Sequence, residues 1–222
     1  DDVGFGSFGT FGGPVPTPGL DLVARTGLRY NRFHTTALCS PTRAALLTGR
    51  NHHAVHMGGI PEMANGFPGY DTIIPPEAAT VAQGLRMNGY ATGCFGKWHL
   101  TNTGAPGAPQ PSAYGFDEFA VFNGPGDAKS QAKLHDTADN AVRFIRESKG
   151  SPFYLNVWIH ESHTPHVPTK ESMEKWQHLD EQKQVYAAVI TDGDNDVGKG
   201  PLHHETQTPH RPAARAAGRA AR

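Results

Sequence analysis

Four short stretches hold residue types that could do chemistry: Cys39-Ser40-Pro41-Thr42-Arg43, Asp1-Asp2, Gly96-Lys97-Trp98-His99, and His160-Glu161-Ser162-His163-Thr164-Pro165-His166. The first is central. Ser40 suits an N-cap, Pro41 the first helical position, and Ala44-Ala45-Leu46-Leu47 propagates a helix, so a helix is expected to start directly after Cys39. The thiol then lies at the positive end of that helix, where free backbone N–H groups favour an anion. Arg43, one turn further in, can aim its guanidinium fork at the same spot. Such a place binds a tetrahedral oxyanion and makes a thiol reactive. The plain alternative is a small buried thiol, since cysteine is among the most buried residue types.

The other stretches carry similar pairs of readings. Asp1-Asp2, with Gly4 and Gly6 behind them, can converge two carboxylates on a hard cation, against the alternative of an ordinary exposed acidic terminus. Lys97 and His99 follow an expected strand, Tyr90 to Phe95, at the end where ligands gather in open α/β sheets. Alternation puts them on one side of the chain and Trp98 on the other, whereas either residue alone would read as a solvated lysine or a loop histidine. Three histidines and a glutamate after the apolar run Phe153–Ile159 could cage zinc, but Pro165 and Pro168 spread them along an extended loop. His52 and His56 have a zinc-compatible i, i+4 spacing, yet Gly49, Gly58 and Gly59 argue for a loop there.

Together these motifs resemble the type I sulfatases. Cys39-x-Pro41-x-Arg43 followed by Leu46-Leu47-Thr48-Gly49-Arg50 is similar to the family's first signature, in which the cysteine is oxidised to formylglycine. Gly89-Tyr90-x-Thr92 followed by Gly96-Lys97-Trp98-His99-Leu100 is similar to the second, and Pro165-His166-x-Pro168 after a hydrophobic strand to a third landmark. Asp1-Asp2-x-Gly4 matches the motif that ends the family's first strand and supplies two metal ligands.

The resemblance implies sulfate monoester hydrolysis, with formylglycine formed from Cys39 by a formylglycine-generating enzyme. It puts a divalent cation, Ca²⁺ by expectation, on Asp1, Asp2 and residue 39. Lys97 would hold a sulfate oxygen beside Arg43, and His99 would contact the formylglycine hydroxyls. His166 would stand on the substrate side, where an imidazolium can protonate a departing alkoxide. His163 would neighbour that site or face solvent. The substrate would be a small-molecule or carbohydrate sulfate ester, and the compartment periplasmic or extracellular. The implied fold is alkaline-phosphatase-like, a mainly parallel sheet with helices on both faces, and incomplete: residues 1–199 would be a partial catalytic domain opening where the family's first strand ends. A phosphatase or phosphonate monoester hydrolase of the same superfamily, or a catalytically inactive sulfatase fragment, are the alternatives.

The chain of 222 residues has a net charge of −1, which gives no sign of a nucleic-acid-binding face. Its two cysteines make no disulfide framework, and a Cys39–Cys94 bridge would consume the nucleophile precursor. No apolar run approaches the ~20 residues of a membrane span, and no signal peptide precedes Asp1.

Several elements must position the motifs. A helix from Thr17-Pro18 to Gly27 is expected to bury Leu20, Leu22 and Val23, and an extended stretch from Leu28 to Thr36 to lead into Cys39. Thr80–Asn88 reads as a helix through Val81 and Leu85, residues 101–112 as a loop over the site, and 136–149 as the clearest helix. A last helix is expected over 172–197, packing through Trp176, Leu179, Val185, Val189 and Ile190. Asp192, Asp194 and Asp196 on it fail as a calcium loop because Val197 stands where that loop needs glycine. Asp194-Asn195 lies inside the helix rather than after a strand, where the family's Asp-Asn metal pair belongs. From Gly200 the periodicity stops, and residues 200–222 read as an aberrant, disordered tail, out of frame or a truncation scar. Alternating strands and helices with polar motifs at strand ends argue for a parallel sheet covered on both faces.

Overall fold

The structure, a computed structural model, describes residues 1–101, 107–123 and 134–205. Its centre is a three-stranded, wholly parallel sheet: β1 (Ala91–Lys97) lies between β2 (Glu118–Phe122) and β3 (Phe153–Trp158). The register aligns Lys97 with Phe122 and Gly96 with Trp158, so all three strands end at one edge. Gly96 is required there. Its φ of 99° suits only glycine, and a Cβ would collide with the Trp158 carbonyl. β2 is an element that the sequence pattern did not announce.

Side chains alternate between two cores. On one face Cys94, Trp98, Val121, Tyr154 and Trp158 pack with Ala44 and Leu47 of α2 (Cys39–Thr48) and Ala82 of α3 (Val81–Met87). On the other face Phe95, Ala120, Phe153 and Leu155 meet Ala141 and Phe144 of α4 (Thr137–Glu147). Helices on both faces of an open parallel sheet are the expected architecture. Each large apolar side chain so buried contributes on the order of 1.5–3 kcal/mol. Both cysteines are free, and Cys94 is fully buried in the first core.

Local chemistry shifts several details. α2 begins at Cys39 itself, with Leu38 as the extended N-cap, because the Ser40 hydroxyl donates to the His99 carbonyl instead of capping. α3 carries a full Thr80/Gln83 capping box, and Thr80 also donates to Tyr114 O at 2.6 Å. That anchoring turns Ala82 inward and leaves Val81 40% exposed, contrary to the expected Val81 contact. The stretch 28–36 joins no strand ladder among the described residues, and Leu28, Tyr30 and Phe33 are exposed.

α1 (Pro18–Thr26) buries Gly19 rather than Val23, because it crosses the last helix, α6 (Glu181–Glu205), with Gly19 against Gly198. The Asp194 carboxylate accepts the free N–H groups of Gly19 at 2.8 Å and Leu20 at 2.9 Å, and so caps α1 from another element. Asp192 does the same for α5 (Lys170–Lys175), accepting from Thr169 N at 2.7 Å and from the Ser172 hydroxyl at 2.5 Å. These bonds account for Asp192 and Asp194 of the acidic row on α6, and the third, Asp196, pairs with Lys199 at 3.1 Å.

The expected single helix over 172–197 is two helices. Asp180 restarts the chain by accepting from Lys183 N at 3.1 Å, and the break lets Trp176 and Leu179 fold back towards Ala187 and Ile190. α6 continues to Glu205, past the expected break at Gly200. Residues 206–222 of the expected tail and 102–106 of the expected loop lie outside the described residues. Among the described residues, no helix is long and apolar enough to cross a membrane.

Candidate active site

The edge where the strands end is also where the start of α2 arrives. Lys97 is the last residue of β1 and His99 follows two residues on, and the His99 backbone is fixed on both sides: its N–H donates to Asn123 Oδ1 at 3.0 Å and its carbonyl accepts from Ser40. These bonds hold His99 at φ 50°, a left-handed conformation uncommon outside glycine. Its ring then uses both nitrogens. Nδ1 stands 3.0 Å from Cys39 Sγ, and Nε2 stands 2.9 Å from Glu62 Oε2.

A second knot of bonds lies beside the first. The Asp1 carboxylate is 2.8 Å from Arg43 Nη2 and 2.9 Å from Lys97 Nζ, with His160 Nδ1 at 4.0 Å. Arg43 also donates Nη1 to the Lys97 carbonyl at 2.6 Å and lies over the Trp158 ring, 4.6 Å from its centroid. The Asp1 backbone is tied in as well, its nitrogen donating to Ile159 O at 3.4 Å and its carbonyl accepting from the Ser162 hydroxyl at 2.5 Å.

The charges follow from this packing. Burial opposes ionisation of Cys39, but the hydrogen bond and charge of His99, the nearby Lys97 ammonium and the Ser40 backbone N–H outweigh it and bring the thiol down to about 7. Burial likewise opposes protonation of His99, and the Cys39 sulfur and the Glu62 carboxylate reverse the balance and raise it. Burial lowers Lys97, and lowers Arg43 to about 10. His160, buried beside Lys97 and stacked 4.6 Å from the His163 ring, falls to about 3 and is neutral at physiological pH. Cys94 is pushed far up by burial. With position 39 left as cysteine, the rate of Cys39 alkylation is expected to rise through a midpoint near pH 7, because the thiolate reacts and its fraction grows through that range. Peptide mass after timed iodoacetamide treatment checks this, with Cys94 unreacted throughout.

Cys39, Arg43, Lys97, His99 and Asp1 thus form one connected set. Arg43 differs from expectation in that two of its donors serve Asp1 and Lys97 rather than an open anion site. His166 departs further. Its Nε2 faces Ser162 O at 3.1 Å, and it lines a separate cavity of about 980 Å³ with Trp176, Leu179 and Tyr186. The cleft at Cys39, about 600 Å³, is lined instead by Asp1, Asp2, Arg43, Trp158 and Ser162, with Leu38, Val157 and Val189 on its apolar side. The histidines turned towards the aspartates are His160 and His163, the latter 3.6 Å from Asp2 Oδ2.

The expected metal set of Asp1, Asp2 and Cys39 does not assemble. Asp2, at φ 58°, directs its carboxylate to His163, while that of Asp1 is already neutralised by two cations. A divalent ion at that oxygen would meet both positive charges. Among the described residues, no group of three or more His, Cys, Asp or Glu side chains could hold a metal ion. The divalent cation therefore does not fit these residues as they stand. His52 and His56 do not pair either. Their Nδ1 atoms lie 2.9 Å from Met57 O and from Asp71 Oδ2 respectively.

Sequence reasoning missed Glu62, His160 and Ser162. Glu62 lies in a short 3₁₀ turn, Pro61–Met63, and no spacing rule links position 62 to position 99. His160 and Ser162 belong to the motif already singled out, and only the path of the chain tells them from His166.

Comparison with known proteins places this geometry. A family model described as Sulfatase matches residues 1–199. The chain is 45% identical over 121 residues to arylsulfatase A of Homo sapiens, covering 54% of this chain and 23% of that protein. It is 35% identical over 128 residues to an arylsulfatase of Klebsiella aerogenes, covering 57% of this chain and 27% of the relative. In both cases the match spans about a quarter of the relative's length. Among solved structures, Ps i-CgsB superposes with a TM-score of 0.78 at 24% identity, over 93% of this chain and 53% of that one. A protein in the alkaline phosphatase superfamily from Vibrio parahaemolyticus superposes with a TM-score of 0.61 at 20% identity, over 93% of this chain and 48% of that one.

Proposed function

Because the chain belongs to the sulfatase family, we propose that its Cys39 site hydrolyses sulfate monoesters after a formylglycine-generating enzyme has oxidised the thiol to an aldehyde. The observation that supports this most is the convergence of His99, with Lys97 close by, on the half-buried Cys39 at the start of α2. Converted and hydrated, residue 39 would offer two hydroxyls on one carbon, one to attack sulfur and the other to release the sulfate. The remaining work falls to the chain's own side chains. The first turn of α2 and the Lys97 ammonium favour the non-bridging oxygens of the ester, on which charge builds as the bond breaks. Arg43 holds Lys97 and Asp1 in place from behind. His99 Nδ1 is the base within reach of a hydroxyl on residue 39.

Relatives named for arylsulfates and for N-acetylgalactosamine-6-sulfate, and a structural neighbour bound to a glucosamine disulfate, support an aryl or carbohydrate sulfate as substrate. The test is co-expression with a formylglycine-generating enzyme, confirmation of the thiol-to-aldehyde mass change on the Cys39 peptide, and comparison of p-nitrophenyl sulfate with p-nitrophenyl phosphate. Sulfate release in preference to phosphate is expected, and faster phosphate release would assign the site to a phosphatase. A second reading, a folded but inactive chain, is favoured by one observation: the Asp1 carboxylate is held by Arg43 and Lys97 while that of Asp2 turns to His163, so the two do not converge beside residue 39. Converted protein that releases neither product would establish it.

A further inference from the structure

The His99 ring has a partner on each nitrogen, and the partners differ in kind. Nδ1 meets residue 39, and Nε2 meets the Glu62 carboxylate at 2.9 Å. A carboxylate can only accept, so the nitrogen facing it must carry a hydrogen. In the neutral ring that leaves the lone pair on Nδ1, directed at position 39. We infer that Glu62 is a positioning residue: it selects the His99 tautomer whose acceptor nitrogen faces residue 39, and it holds the ring in that orientation.

Two further features make the contact a built one. The turn carrying Glu62 belongs to a segment pinned to the main core by Val55, Met57 and Ile74, each at most 2% exposed. Within that segment Gly58 N donates to Gly69 O at 2.8 Å and Thr72 N to His56 O at 3.0 Å, which closes the loop. On the other side the His99 main chain is fixed by Asn123 and Ser40, so the ring can change only by rotating about its side-chain bonds. Glu62 opposes that rotation. The pattern of nucleophile position, imidazole and carboxylate is the geometric logic of a catalytic triad, in which the carboxylate acts through the ring and never on the substrate.

The inference rests on the proposed reading only for what Nδ1 serves, namely the hydroxyls of residue 39. Its test is arranged to stand apart from turnover. The full chain, produced with position 39 left as cysteine, is treated with iodoacetamide at neutral pH as wild type, Glu62→Ala and Glu62→Gln, and alkylation is followed by peptide mass. Glu62→Ala is expected to slow Cys39 alkylation roughly 10-fold or more, because a ring no longer held spends less time with its acceptor nitrogen at the thiol and its general-base assistance falls. Glu62→Gln, whose amide oxygen still accepts from Nε2–H, keeps most of the rate. Cys94, the other cysteine, stays unreactive in all three. In converted protein, Glu62→Ala should lower kcat with KM unchanged. Equal Cys39 rates in wild type and Glu62→Ala overturn the inference. So does exposure of Cys94 in both variants, since Glu62 would then be supporting the fold and not the ring. If the alkylation pattern holds while converted wild type releases no sulfate, the sulfatase reading fails and the role of Glu62 stands.

Discussion

Replacing Cys39 with alanine is expected to abolish the sulfate ester turnover proposed for the converted chain, a fall of roughly five to six orders of magnitude in kcat, as when a covalent nucleophile is removed elsewhere. The argument is specific to this position. Alanine leaves α2, the His99 backbone bonds and the Asp1 knot in place, because none of them uses the Cys39 sulfur. What disappears is the group that His99 Nδ1 meets at 3.0 Å beside the Lys97 ammonium. The wild-type protein made without the converting enzyme is expected to be nearly as inert. A thiolate at position 39 can attack, but it has no second hydroxyl with which to expel the sulfate. Assay of p-nitrophenyl sulfate on the three preparations checks both statements, and robust turnover by the unconverted thiol form would remove formylglycine from the mechanism.

How much of this could be read from the residues depended on distance along the chain. Cys39 at a helix start and Lys97 and His99 around a strand end are local patterns, set by capping, periodicity and alternation. The structure puts them where those rules place them. Trp98 turned to the opposite side from Lys97 and His99, into the core with Tyr114 and Phe116. Bonds between distant segments were not legible. Asp1 meets Arg43 across 42 residues, and Glu62 meets His99 across 37. No pattern within a window records either pairing. The same limit explains α6: its periodicity is local, but Asp192 and Asp194 serve the ends of α5 and α1, which only the packed structure supplies.

The histidine loop shows a different limit. Residue types singled out the stretch from His160 to His166 but could not choose among its members, because prolines make the chain's direction turn residue by residue. His160 and His163 face the aspartates, whereas His166, favoured by resemblance, faces Ser162 O and the cavity beside Trp176. Missing β2 had a simpler cause. Glu118-Phe119-Ala120-Val121-Phe122 is five residues long and opens on an acid, so neither length nor alternation marks it.

Replacing Arg43 with alanine should destabilise the fold by about 3–5 kcal/mol, because it breaks a buried ion pair and leaves its partners behind. Arg43 and Asp1 side chains are 8% and 14% exposed, so little solvent compensates. The change removes the bond to Asp1, strands the Lys97 carbonyl and takes the guanidinium off the Trp158 ring. Arg43→Lys should recover only a small part, since one ammonium cannot reach both the Asp1 carboxylate and the Lys97 carbonyl in the geometry of the planar fork. The contrast is Arg143, whose pairs with Glu118 and Glu147 involve side chains 36–57% exposed, and whose replacement with alanine should cost no more than about 1 kcal/mol. Urea unfolding of the four proteins measures the difference. A loss for Arg43→Ala no larger than that for Arg143→Ala would mean that Lys97 alone neutralises Asp1, and that the charge order around Cys39 does not depend on Arg43.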